Sequence, residues 1–249
     1  MQSTTKTSAA RTAFLAAIGV MTVLTSQVSG AAPLLKTTTA AAAQAEVQAA
    51  ARPASTPFVI KASESSVRPL LKFETVRWGG KPVQTLDEAS RIALTRAAAE
   101  KVGLGEVGLS YHDVYGVIEA ETSWIPRTGS SRNGTPNLGL AQFEPRTAKG
   151  LGVRDPSDPV QAVFGAAMYM KEGARWAADK VAHLNLSPEQ HAAKVREGVS
   201  VYYNLSVKGR NKWDGFNAAQ LPKETQKHIR NTAAGALEAA KLVQQLRLA

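Results

Sequence analysis

Helix-start signals recur along this chain from residue 85 onward, and they leave little room for anything but a helical domain. Thr85 with Glu88 has the spacing of a capping box, and Ser110 with Asp113 is a weaker version. Asp158 and Ser187 each precede a proline, Pro159 and Pro188, and each has a glutamine, Gln161 and Gln190, at the third helical position. Pro222 opens a fifth helix. Apolar spacing agrees, since Val160, Val163, Phe164, Ala167 and Met168 follow the pattern of one helical face. Strand patterns are scarce, the best being Phe73 to Trp78 before the Gly79-Gly80 turn. A mainly α domain is expected over residues 67–249.

The N-terminal stretch has a different character. Lys6 and Arg11 are its only charges, an apolar run extends from Ala13 to Leu24, and small residues follow up to Ala31. Residues 1–31 read as a secretory leader cleaved near Ala31 or Ala32. A retained anchor is the alternative, but the run is shorter than the roughly 20 apolar residues a spanning helix needs. Residues 32–66 shift to Ala, Thr, Ser, Gln and Pro, with too little bulky apolar content to offset ordering entropy, and read as a mobile low-complexity tether. Export across the inner membrane to the periplasm or cell wall is expected, with no stable membrane span after processing. The absence of cysteine excludes a catalytic thiol, a disulfide framework, a thiolate metal site and a lipid on an N-terminal cysteine. Loss of the leader lowers the net charge from +10 by two, so the mature chain stays basic.

On the helix starting at Ser110, Tyr111, Val114, Tyr115 and Ile118 form one stripe, and the next steps along it reach Glu121 and Thr122. A carboxylate thus falls on the face meant for the core. Glu119, about 200° away around the axis, is expected to be solvated. Near Trp124 the ionised form of Glu121 is disfavoured, so the group is expected to hold a proton near neutral pH, as a general acid must. The alternative is that Glu121 caps the helix end or pairs with Arg127.

A polar loop, Thr128 to Asn137, leads into Gly139-Leu140-Ala141-Gln142-Phe143-Glu144-Pro145-Arg146-Thr147-Ala148. Together with Glu121-Thr122, this block resembles the signature of the SLT-type lytic transglycosylases of the goose-lysozyme-like superfamily: Glu-Ser, a loop, then Gly-Leu-Met-Gln, an apolar residue, any residue, Pro, any residue, Thr-Ala. Two further blocks follow in the family's order. Tyr203-Asn204 matches its Ala-Tyr-Asn-Ala-Gly, and Leu221-Pro222-Lys223-Glu224-Thr225 with His228-Ile229 resembles its Pro-x-Glu-Thr-x-x-Tyr-Val. The resemblance covers residues 110–232. Departures are Thr122 for Ser, Ala141 for a larger residue, Leu205-Ser206 for Ala-Gly, His228 for Tyr, and a longer loop between Glu121 and Gly139.

The resemblance implies a lysozyme-like helical fold and a single acid and base, Glu121. That group would protonate the glycosidic oxygen between N-acetylmuramic acid and N-acetylglucosamine, then take a proton from the C6 hydroxyl as it attacks C1, leaving a 1,6-anhydro sugar. No cofactor or metal is implied. Gln142 would hydrogen-bond the sugar and Tyr203 would hold Glu121 or the substrate acetamide. Thr122, Gly139, Leu140, Phe143, Asn204 and His228 are carried over as substrate-binding positions.

Other readings stay open. Tyr203 or Tyr202 shares a helical stripe with Val195 and Val199, so core packing is possible, and the adjacent Asn204 favours Tyr203 as the family residue. Glu144 is either a solvated helix-start acid or a second cleft carboxylate, which would favour hydrolysis by a muramidase or chitinase. Ser123 lacks a histidine at a triad position, and the four histidines lack ligand spacing. Lys208, Arg210 and Lys212 either serve solubility or meet the acidic groups of peptidoglycan, the expected partner. Nucleic acid is not expected, with 6% aromatic residues and no basic stripe along a helix. The last helix, with Ile229, Ala233, Ala236, Leu237, Ala240 and Val243 on one face, packs across the domain or docks a partner. A non-catalytic wall-binding or secretion-assembly protein on the same fold is the remaining alternative.

Overall fold

A computed structural model describes residues 63–131 and 133–248; the leader, and the tether up to residue 62, lie outside them. The described part is mainly helical, the fold class expected. A short helix α1 (Glu64–Val67) precedes a hairpin of β1 (Phe73–Trp78) and β2 (Lys81–Leu86). Helices α2 (Glu88–Val102) and α3 (Tyr111–Thr122) follow, then a second hairpin, β3 (Arg127–Ser130) and β4 (Pro136–Gly139). The remainder is α4 (Pro145–Gly150), α5 (Pro159–Val181), α6 (Pro188–Asn204), α7 (Val207–Arg210) and α8 (Lys223–Leu248).

Local signals account for most of these boundaries. Asp158 accepts the Gln161 amide at 2.8 Å to start α5, and Ser187 and Gln190 cap each other at the start of α6. Asp113 accepts the Ser110 amide at 2.7 Å and is also reached by Arg196 from α6 at 2.9 Å. One cap differs from expectation. Thr85 is drawn into the hairpin, where it pairs with Glu74, and its buried hydroxyl donates to the Trp124 carbonyl. The cap of α2 is Asp87, which accepts the Ser90 amide. Ser63 to Ser66, polar enough to read as tether, form a capped turn instead. Arg68 just beyond it makes a two-pronged ion pair with Asp158, at 2.6 and 2.9 Å.

The core gathers around α3, whose Val114, Val117 and Ile118 are fully buried. Helix α8 crosses it at a glycine contact. A Cβ on Gly116 would lie 2.2 Å from the Thr232 carbonyl oxygen, so the two backbones touch and only hydrogen fits. This contact sets the rotation of α8. Its buried positions are Thr225, His228, Gly235, Ala239, Leu242 and Val243, whereas Ala233 and Leu237 of the expected apolar face are exposed. The inward face follows the small residues that permit close approach, not the largest apolar ones. Among the described residues no helix is long and apolar enough to cross a membrane.

Candidate active site

Glu121 occupies the last turn of α3, and the chain leaves that helix by a strained route. Ser123 and Trp124 have φ of 51° and 61°, and Gln142 has φ of 48°. These are the non-glycine residues of positive φ among the described ones, and all three flank Glu121 or its facing loop. The turn sends the Trp124 side chain into the core. Arg127, at the start of β3, donates to the carbonyls of Glu121 at 2.5 Å and Thr122 at 2.9 Å, closing the helix end. It therefore grips the backbone of Glu121, and the expected alternative of a pair with its carboxylate is not what forms.

The Gln142 loop is fastened from several sides. Thr122 donates its hydroxyl to the Leu140 carbonyl at 3.0 Å. The NH2 of Gln142 donates to the carbonyls of Arg127 and Gly139 at 2.9 and 2.8 Å, bracing the β3–β4 hairpin. The phenol of Tyr203 donates to the Ala141 carbonyl at 3.0 Å. Gly139 has φ of 70°, and a Cβ there would fall 1.8 Å from the Pro156 carbonyl oxygen.

Between this loop and α6 lies a cavity of about 680 Å³. Glu121, Gln142, Phe143, Tyr203 and Asn204, all candidates from the sequence, line it together. The Glu121 side chain is 17% exposed, and its Oε1 is 2.9 Å from Nε2 of His228, whose side chain is 5% exposed. The Tyr203 ring lies nearly parallel to His228, centroids 6.0 Å apart, and Phe143 stacks on Tyr203 at 6.1 Å. Burial, reinforced by the nearby Glu121 carboxylate, pushes the Tyr203 phenol well above its ordinary pKa, so it stays a donor. Asn204 accepts the Thr225 hydroxyl at 2.7 Å, which leaves its NH2 as the donor it can offer.

Several expected substrate contacts are not on the cavity wall. Thr122 and Leu140 are buried and join α3 to the loop, Gly139 is committed to its contact with Pro156, and His228 lies behind Glu121. Gln142 and Tyr203 line the cavity but spend their NH2 and OH on backbone carbonyls. Glu144 does both things the sequence left open: it is the N-cap of α4 and lines the cavity, accepting the Ser131 hydroxyl at 2.7 Å. Glu119 is half-buried rather than solvated, because α8 comes down over it at Gly235. Burial, with Glu238 close by, raises its pKa. Of the basic cluster, Arg210 lines the cavity with its guanidinium 3.7 Å from the Tyr202 ring centroid. Tyr169 and Ser131 also line it and were not singled out: one sits within the ordinary apolar pattern of α5, the other in a loop of interchangeable polar residues.

A carboxyl group sheltered in a polar cavity, with one oxygen on an imidazole, is equipped to give and take a proton. No protein-family model and no solved structure matches the chain. A stretch of 59 residues, 24% of the chain, is 44% identical to a protein named Transglycosylase from Enterobacteria phage PRD1. The chain spans about a fifth of that relative's length, 21%. This partial similarity supports a transglycosylase-type, glycosyl-processing enzyme and reaches no finer than that.

Proposed function

We propose that this protein is a peptidoglycan lytic transglycosylase that cleaves between N-acetylmuramic acid and N-acetylglucosamine. The observation that carries the reading is Glu121, a sheltered carboxyl on the wall of a polar cavity that also presents Gln142, Tyr203 and Asn204. Protonated Glu121 gives its hydrogen to the glycosidic oxygen as the C1–O bond breaks. The carboxylate then takes the C6 hydroxyl proton as that oxygen closes on C1, and the sugar leaves as a 1,6-anhydro end. The substrate's N-acetyl group stabilises the cationic carbon, and the NH2 of Asn204 is the donor best available to it. Arg210 and Arg146 give the same cavity positive charge suited to the acidic lactyl and stem-peptide groups of the wall polymer. The work would be done in the periplasm or wall layer, after export. A wall-opening role beside a secretion or cell-wall assembly apparatus is compatible with a basic, tethered domain.

Glu144 supports a second reading. As a second carboxylate on the cavity it offers what a hydrolase needs to activate water. Digestion of peptidoglycan sacculi with product masses separates the two: anhydro ends support lytic cleavage, reducing ends hydrolysis. Glu121→Gln is expected to lower the rate by about 100- to 10,000-fold in either case. Equal, negligible cleavage by both proteins, with both still binding the polymer, would instead indicate a non-catalytic wall-binding role.

A further inference from the structure

The two ring nitrogens of His228 meet different partners. Nε2 is 2.9 Å from Glu121 Oε1, and Nδ1 is 3.4 Å from the hydroxyl oxygen of Thr232. That hydroxyl donates to the His228 carbonyl at 2.6 Å and accepts from Ser200 at 3.2 Å. Its hydrogen is committed, so what it turns toward Nδ1 is a lone pair. Beside a protonated Glu121, which can donate to Nε2, a neutral imidazole carries its single N–H on Nδ1, toward this neighbour. Nε2 then faces Glu121 as a lone pair in the neutral ring and as an N–H in the imidazolium.

We propose that His228 is a positioning residue whose charge decides which oxygen of Glu121 carries the catalytic proton. The inference rests on Glu121 being the acid of the proposed reaction. With His228 charged, Nε2–H donates to Oε1, and the carboxyl's hydrogen resides on Oε2, the oxygen left for substrate. Oε2–H passes to the glycosidic oxygen as the C1–O bond breaks, and the charged N–H stabilises the carboxylate that forms. The C6 hydroxyl returns a proton to Oε2 as the O6–C1 bond closes. The histidine's own proton stays on Nε2 throughout, so the cycle balances. With His228 neutral, the lone pair of Nε2 draws the carboxyl hydrogen onto Oε1, away from the sugar, and the acid is disabled.

The surroundings leave these two groups as the switching pair. From α6, Tyr203 stacks on the ring as a neutral phenol and Ser200 adds a hydroxyl through Thr232. Arg127 sits on the backbone carbonyl of Glu121.

The test is the pH dependence of kcat for release of soluble products from sacculi by wild type, His228→Gln and Thr232→Val, with the His228 ring followed by NMR. Wild-type kcat is expected to fall on the basic side. His228→Gln loses that limb, and its plateau kcat drops about 100-fold with KM unchanged, the size seen when one donor to a developing negative charge is removed. Thr232→Val frees the neutral ring to carry its hydrogen on Nε2 and moves the basic limb to higher pH. In Glu121→Gln, the pH at which the His228 ring signals change moves down. Superimposable pH profiles for wild type and His228→Gln, both cleaving, overturn the proposal while leaving the lytic reading intact. Should wild type cleave nothing, that reading fails on its own. The NMR arm then decides the pair, and a ring titration unmoved by Glu121→Gln overturns it.

Discussion

Glu119 and Glu121 are two residues apart on one helix, yet the fold gives them opposite relations to their surroundings. Glu121 has a partner in His228, whereas Glu119 is covered by α8 with a second carboxylate, Glu238, beside it. Its raised pKa has a definite sign in stability. A carboxyl whose folded pKa lies above the unfolded value stabilises fully below that unfolded value, about 4.3, and its contribution is lost as pH rises through the folded one. Glu119→Gln is therefore expected to raise the melting temperature at pH 7 to 8 and to make little difference near pH 4, as scanning calorimetry across that range can verify. Apolar-stripe reasoning found Glu121 because the local pattern runs straight to it. It called Glu119 solvated because the helix that covers Glu119 lies more than a hundred residues further along the chain.

At the scale of elements, the contact of α3 with α8 is the joint that holds Glu121 and His228 together. A methyl group at Gly116 would meet backbone atoms of Thr232 and Ala236 at 2.2 and 2.9 Å, and neither can swing aside like a side-chain end. Gly116→Ala is expected to destabilise by about 1–3 kcal/mol in chemical denaturation despite alanine's better helix propensity. Gly150→Ala, with nothing within 4 Å of the added carbon, is the control that stays near neutral. The same joint explains what the sequence did and did not disclose. Caps at Asp158 and Ser187 were legible because their partners lie three residues away. The true inward face of α8 was not, because it answers to a glycine on another helix. Thr85 looked like a cap for the converse reason: its spacing to Glu88 is real, but the hairpin register claims it first.

For the whole molecule, the basic net charge, which persists without the leader, and the two arginines on the cavity predict that encounter with the proposed wall polymer depends on ionic strength. Between about 0.05 and 0.5 M salt, across which the Debye length shrinks to a few ångströms, KM for sacculi is expected to rise several-fold with kcat nearly constant. Arg210→Gln should flatten that dependence, which initial rates of sacculus clearing at graded salt would reveal.

The proton-handling pair is also split in time. Glu121 and His228 are 107 residues apart, and the second rides on a helix of 26 residues that ends at Leu248. At ribosomal speeds of roughly 5–20 residues per second, a growing chain carries its acid for about 5–20 seconds before the imidazole is even made. Chain order thus acts as a delay fuse: an enzyme of the proposed kind would stay unarmed until α8 has docked.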